Sequence, residues 1–462
     1  MIRMSLARFK TQRAELLLCA GLFVLSALIF LGSPVRQIAD SNYSMLMSQS
    51  LLYHHSFMLD GYAIPRLEPT VQNKWFRKRP YTYNGKQTYQ IQVVGDHLYY
   101  YLPPGSSVLS MPLVALMNAF GISASNADGT FNLKGETVIE LFIAALLMAG
   151  LTVIFYLTGR LLLSRCWSVL IALGAAMGTQ VWSTATRALW SETWGILLMG
   201  IVILMLVRHE LGVQRLRPVL LASLMAWMYF VRPTNSIQIL AVSIYVLLFT
   251  RKIFSWYVIT GAVWLAGFVA YSWYHFHDWL PHYYLYAQFG LSTFWVALAG
   301  HLISPSRGLL IFVPVVVFVF YLLVRYKSQL EQRRLAILSL AVIFAHLLLI
   351  SCFSFWVGGA SYGPRYNTAL VPWFVLLSIL GIKAMLAARA ADAGKIRSFA
   401  RRAELAAGGV LLFISVFMNA QGAIFQSTYS WNAGPPDVGI AFERVWDWKD
   451  PQFLVGIREY FH

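Results

Sequence analysis

Apolar residues run along this chain for about 17 to 25 positions at a time, the length that crosses a bilayer as helix, and polar residues collect in the stretches between. "LLLCAGLFVLSALIFLG" and "TALVPWFVLLSILGIKAML" are two such runs. Crossings are predicted near residues 15–33, 137–158, 163–181, 189–207, 218–231, 234–250, 254–275, 308–325, 336–353, 367–386 and 405–424, about eleven helices in all. Strand-like alternation is absent, which argues against a barrel. The shorter run "SVLSMPLVALMNAFG" contains Pro112 and predicts a helix lying at the interface or dipping into it. The expected fold class is therefore an all-α polytopic membrane protein: a transmembrane domain over 1–424, with a first extracytoplasmic loop at about 34–105 and an extracytoplasmic tail at 425–462. No internal repeat or low-complexity tract divides it.

Composition agrees with this pattern. The 462 residues are 58% hydrophobic and 12% charged, and the mean hydropathy is +0.61, more apolar sequence than a water-soluble core absorbs. The net charge of +17 is mostly a record of topology. Arg3, Arg8, Lys10 and Arg13 precede the first run. Alternate connections then carry Arg160 and Arg165; Arg208, Arg215 and Arg217; Arg251 and Lys252; Arg325, Lys327, Arg333 and Arg334; and a group from Lys383 to Arg402. The positive-inside rule makes that side, and the N-terminus, cytoplasmic, so a nucleic-acid partner is not needed to explain the charge. Cys19, Cys166 and Cys352 have no paired spacing and suggest neither disulfide nor metal. The basic start "MIRMSLARFKTQR" suits a signal peptide or a permanent anchor; the long run and the lack of a clean cleavage site favour the anchor. His346 is the main ionisable residue near a span centre, which counts against ion-coupled transport.

Three arginines remain on the opposite, outer side in a shared setting. Arg232-Pro233, Pro305-Ser306-Arg307-Gly308 and Pro364-Arg365 each open a helix. A helix N-terminus already carries about half a positive charge and unpaired N–H groups, so an added guanidinium there implies an anion. In "FWVGGASYGPRYN" the glycines allow a tight turn, Pro364 sets the helix start and Arg365 can fork onto phosphate oxygens. The alternative is that these arginines snorkel to headgroups. Arg187 is a candidate fourth member unless Glu192 is its ion-pair partner.

In the first loop, Tyr43, Leu46, Met47 and Leu51 predict an amphipathic helix on the membrane surface, headed by Asp40. Asp40 suits either an N-cap or a general base acting on a hydroxyl or amine. Asp60, Glu68 and Asp96 are candidate supporting carboxylates. The adjacent His54-His55 pair lacks the i, i+4 geometry of a helical metal site, and "KWFRKRP" suits lipid headgroups or an anionic substrate. The aromatic stretch "HFHDWLPHYYLYAQFG", with Trp356 and Tyr362, suits an interfacial belt or stacking on a sugar.

The ordered motifs "ADSNYSMLMSQSLL", "YYYLPPGSSVLSMPLVAL", "TRALWSETWG", "VRPTN", "SPSRGLLIFVP" and "WVGGASYGPRY" resemble bacterial membrane glycosyltransferases of the GT-C superfamily, in the branch of the protein O-mannosyltransferases and the lipid A aminoarabinose transferase. The resemblance extends to about residue 385. It implies an inverting enzyme of the bacterial inner membrane, its active site on the periplasmic face, that moves a hexosyl or pentosyl group from a polyprenyl-phosphate-linked donor to an envelope glycan, lipid or protein acceptor. It places the catalytic acid at Asp40, with Arg187, Arg232, Arg307, Arg365, Tyr362 and Asp60 as substrate-binding candidates. The superfamily often shows paired acids at this position, whereas here Asp40 is followed by Ser41 and Asn42; no cofactor is certain, and no motif indicates the divalent metal that such enzymes can use. A transporter or flippase of a phosphorylated lipid-linked sugar is the alternative, since it would grip the same phosphate without breaking a bond.

Overall fold

The computed structural model describes residues 2–64, 81–83, 86–285, 289–391 and 398–461; "KWFRKRP" and Glu68 lie outside them. The chain is mostly helical, and seven helices are long and apolar enough to cross a membrane: Arg13–Gly32, Leu133–Arg160, Ser191–Glu210, Arg251–Phe276, Arg333–Ser351, Arg365–Ala391 and Arg401–Ile424. Helices suit such runs because every backbone N–H and C=O finds its partner within the segment.

Helix α1 (Ile2–Gly32) packs along α4 (Leu133–Arg160), and between them in sequence come α2 (Ser44–Tyr53), the hairpins β1 (Tyr81–Tyr83) with β2 (Lys86–Thr88) and β3 (Ile91–Val94) with β4 (His97–Tyr100), and α3 (Gly105–Ala119). The order continues through α5 (Arg165–Met177), α6 (Ser191–Glu210), α7 (Pro218–Val231), α8 (Ser236–Phe249), α9 (Arg251–Phe276), the short α10 (His282–Leu285) and α11 (Phe294–Ile303). It ends with α12 (Leu309–Phe312), α13 (Val315–Arg325), α14 (Arg333–Ser351), α15 (Val371–Ala391), α16 (Ser398–Ile424), α17 (Ser427–Ser430) and α18 (Val455–Phe461). Helix α15 is the most enclosed: it packs against α4, α5, α6, α13 and α14, and 83% of its apolar window is buried.

Several expectations need correction. Helix α2 does not lie exposed on a surface, because Ser44 through Ser50 are all buried where it packs against α3 and α4. Nor does Asp40 cap it. The first N–H groups of α2 instead point at the Glu136 carboxylate of α4, which accepts from Met45 N at 2.8 Å and Leu46 N at 3.0 Å. The run at 163–181 ends as helix at Met177 and continues into a π-helical turn, Val181–Ala185. The run at 308–325 is divided into α12 and α13 around Pro314, which lacks the N–H that a continuous helix would use. Helix α11 was not foreseen.

The tail is no free appendage. Gln426 exchanges hydrogen bonds with the Arg36 backbone, donating to Arg36 O at 3.0 Å and accepting from Arg36 N at 2.9 Å. Trp431, Val438 and Val445 pack with Trp356, Val357 and Ala297 in a small apolar cluster.

Candidate functional site

A cavity of about 1060 Å³ opens where the first loop, the α7–α8 junction, the 355–366 segment and the tail meet. Asp40, Arg232, Thr234, Tyr89 and Arg365 give one part of its lining a polar character; Tyr101, Leu102, Tyr229, Phe289, Leu349 and Phe353 supply aromatic and aliphatic wall. Gly358 and Gly359 also line it. Both adopt left-handed backbone (φ +76° and +63°), so the tight turn expected there is made by two consecutive residues at which a side chain would be strained.

Asp40 and Arg365, 325 residues apart in sequence, meet in this cavity. An Arg365 terminal nitrogen donates to Asp40 Oδ2 at 2.7 Å, and the Tyr89 hydroxyl donates to Oδ1 at 2.6 Å. The Tyr100 hydroxyl holds the Asp40 carbonyl at 2.9 Å. Arg365 Nε donates to Glu192 Oε1 at 2.9 Å, and Arg232 approaches Glu192 Oε2 at 2.9 Å. Glu192 is thus the buried bridge between the two arginines, with 1% of its side chain exposed. It stands in the first turn of α6, where the helix dipole favours an anion. Arg365 lies over the Trp190 ring at 3.7 Å. Two acids and two guanidinium groups balance, which a buried cluster requires if neither sign is to stand uncompensated.

The Asp40 side chain is 29% exposed. Partial burial opposes its ionisation, but the Arg365 charge and the hydrogen bonds from Tyr89 and Arg365 outweigh this and hold the carboxyl below the usual carboxylate range. Burial and the Asp40 charge push the Tyr89 phenol well above its ordinary value, so it remains a donor. Because the folded Asp40 titrates below its unfolded value, its stabilisation is complete above the unfolded pKa of about 3.9 and is lost as pH falls through the folded value. Tyr89→Phe, by removing one bond to the ionised form, is expected to lower stability at pH 7 by roughly 1 kcal/mol. The deficit should shrink as pH falls below the unfolded value and through the lower folded one. Thermal midpoints of both proteins across this range test it, and a deficit independent of pH would contradict the assignment.

The other candidates are held elsewhere. Arg307 is buried, and its donors are taken by protein acceptors: Nε by Val357 O at 2.7 Å, one terminal nitrogen by Ser306 O and Gln452 Oε1, the other by Gly359 O and Asn432 Oδ1. It ties the Gly358-Gly359 turn to the tail and does not line the cavity. Arg307→Met should therefore lower stability by roughly 3 kcal/mol through orphaned buried acceptors. Thermal unfolding and protease cutting within 426–461 would report this; an unchanged melting temperature would count against the structural role.

Arg187 does not pair with Glu192 or reach the cavity. It donates to Ser33 O at 2.5 Å and to Phe30 O, taking up carbonyls at the end of α1, where a cation is favoured. Its own carbonyl accepts from Gln37 N at 2.8 Å, fixing the segment that leads to Asp40. Tyr362 is buried, its hydroxyl on Met418 O at 2.6 Å, and Trp356 is buried with the tail cluster. Asp60 holds the β3–β4 hairpin, meeting His97 Nδ1 at 2.7 Å and Leu98 N at 2.9 Å. From the aromatic stretch, Tyr283, Tyr284 and Phe289 do reach the cavity. His346 donates from Nε2 to Tyr366 O at 3.0 Å, supporting the residue after Arg365.

Sequence reasoning missed two contributors. Glu192 was visible only as a neighbour of Arg187. Asn432, Asp437, Val438, Gly439 and Ile440 of the tail form part of the cavity wall, and the turn-forming "NAGPPDVGI" was their one local signal. Among the described residues no three His, Cys, Asp or Glu side chains gather as a metal-ligand group; the Asp40 and Glu192 carboxylates face arginines.

Compared with models of known protein families and with curated proteins, the chain matches none.

Proposed function

We propose that this protein is an inverting, GT-C-like glycosyltransferase of the bacterial inner membrane, with about eleven crossings and a periplasmic site, that uses a polyprenyl-phosphate-linked sugar. The single observation that supports this most is the Asp40–Arg365 pair at 2.7 Å in a cavity that also carries Arg232 and an aromatic and aliphatic wall. A carboxylate suits an acceptor hydroxyl, guanidinium groups suit a phosphate, and the apolar wall suits prenyl chain and sugar faces.

In the reaction an acceptor O–H gives its proton to Asp40 while its oxygen bonds to the anomeric carbon. The bond from that carbon to the phosphate oxygen breaks, and the electron pair leaves with the lipid phosphate. Attack opposite the leaving group inverts the configuration. Arg365 and Arg232 stabilise the charge that builds on the departing phosphate.

Held by Arg365 and Tyr89, the Asp40 carboxylate is a weak base. An arriving phosphate competes for Arg365, and as that guanidinium turns to the phosphate the carboxylate recovers basicity. The resting ion pair thus couples donor binding to activation of the base.

Purified protein given labelled polyprenyl-phosphate sugar and an envelope extract as acceptor source tests the proposal. A new glycosidic product that disappears in Asp40→Asn is expected. Movement of intact donor across proteoliposomes with no product would replace enzyme by flippase.

A further inference from the structure

Away from the cavity, at the connection between α6 and α7, lies a second pocket of about 200 Å³ lined by apolar side chains and arginines. Ile201, Leu204, Met205 and Arg208 fall at i, i+3, i+4 and i+7 on α6 and share one face, so an apolar stripe runs toward a guanidinium in the last turn. Gly212, at φ +68°, turns the chain back, with Val213 N and Gln214 N bonded to Arg208 O at 2.9 and 3.2 Å. This fold brings Arg215 and Arg217 to the same pocket, and Leu220 of α7 completes the apolar side.

The helix dipole accounts for Arg208, which sits at a C-terminus where cations are favoured. It does not account for Arg217, which is the residue before Pro218 and so caps the N-terminus of α7, where the dipole repels a cation. Neither does internal pairing. The neighbouring acid, Glu210, is engaged by the Tyr245 hydroxyl at 2.7 Å, and among the described residues no carboxylate pairs with Arg208, Arg215 or Arg217. Arg208, Arg215 and Arg217 border a pocket whose own walls are apolar, a combination that suits an anion with an apolar body.

We propose that this pocket binds one anionic phospholipid, its phosphate among Arg208, Arg215 and Arg217 and an acyl chain along the Ile201–Leu204–Met205 stripe. Basic pockets between apolar helices on the positively charged side of a membrane protein suit such headgroups. The site is independent of the sugar-transfer proposal and stands whether or not the protein is an enzyme.

Native mass spectrometry of the detergent-purified full-length protein, titrated separately with phosphatidylglycerol, phosphatidylcholine and inorganic phosphate, tests it. Phosphatidylglycerol is expected to bind in preference to the other two. R208Q/R215Q/R217Q should weaken its binding by about 100-fold, and R217Q alone by about 5-fold, at roughly the strength of one surface cation each. Neutralising Arg325, Lys327 and Arg333 together controls for general charge on that side and should leave the tight site in place. The proposal is overturned if the triple variant retains wild-type affinity, if the control loses as much, or if inorganic phosphate binds as well as the lipid. The melting temperature of each variant without lipid identifies loss of fold, and R217Q, the mildest change, keeps the test decisive should the triple variant unfold.

Discussion

Asp40→Asn is expected to abolish the proposed sugar transfer while tightening the binding of a prenyl phosphate. The substitution keeps the shape of the side chain and removes its charge. Loss of a general base lowers turnover by about 10² to 10⁴-fold. Yet the wild-type carboxylate also holds Arg365 at 2.7 Å, and any phosphate must compete with it. Without that charge the guanidinium is released and the repulsion between carboxylate and phosphate is gone, so affinity should rise about 10-fold, the worth of one charge-assisted hydrogen bond. Binding of farnesyl phosphate by calorimetry, beside turnover of the labelled donor, measures both effects. Weaker binding in the variant would show that Asp40 helps to hold the ligand and does not compete with it. Failure of the wild type to bind any prenyl phosphate would remove the proposed donor class itself.

Arg365→Ala should cost both activity and stability, and the two losses are separable. Removing one donor to a developing oxyanion typically lowers turnover by about 10² to 10³-fold. Structurally, Arg365 is one of two cations that compensate Glu192, whose side chain is 1% exposed. Removing one partner of a buried ion pair typically destabilises by about 3 to 5 kcal/mol, because the remaining charge stays desolvated. Arg232 still faces Glu192 at 2.9 Å, so the lower end is expected. Adding Glu192→Gln to Arg365→Ala should recover most of the melting temperature and none of the turnover. Arg365→Lys should keep part of each, since a point charge cannot reach Asp40 and Glu192 together as the planar fork does. If the double variant regained turnover with its stability, Arg365 would be only a structural cation.

The two variants probe the same four-residue cluster from opposite ends. Asp40 is expected to oppose ligand binding and promote chemistry, whereas Arg365 promotes both. A merely structural ion pair would show the same sign in both variants for every readout. Arg307 offers a contrast within the same protein: it too follows a proline-marked turn, but with its donors on carbonyls and amides its loss should appear in stability and the anchoring of the tail.

The run lengths were enough to determine a chain of membrane-length helices, because a long apolar segment in lipid must satisfy its backbone internally whatever its neighbours are. Local chemistry also singled out Asp40, Arg232 and Arg365: an acid just beyond the first run and cations at helix starts are anomalies visible without coordinates. Which arginines face a cavity was decided only by tertiary structure. Arg187, Arg307 and Arg365 look alike along the chain, yet one closes the end of α1, one ties a turn to the tail and one meets Asp40. A guanidinium has five N–H donors, and whether carbonyls or carboxylates take them depends on segments 50 to 325 residues distant. For the same reason Glu192 emerged as the bridge, and the tail as a cavity wall, only once the helices had packed.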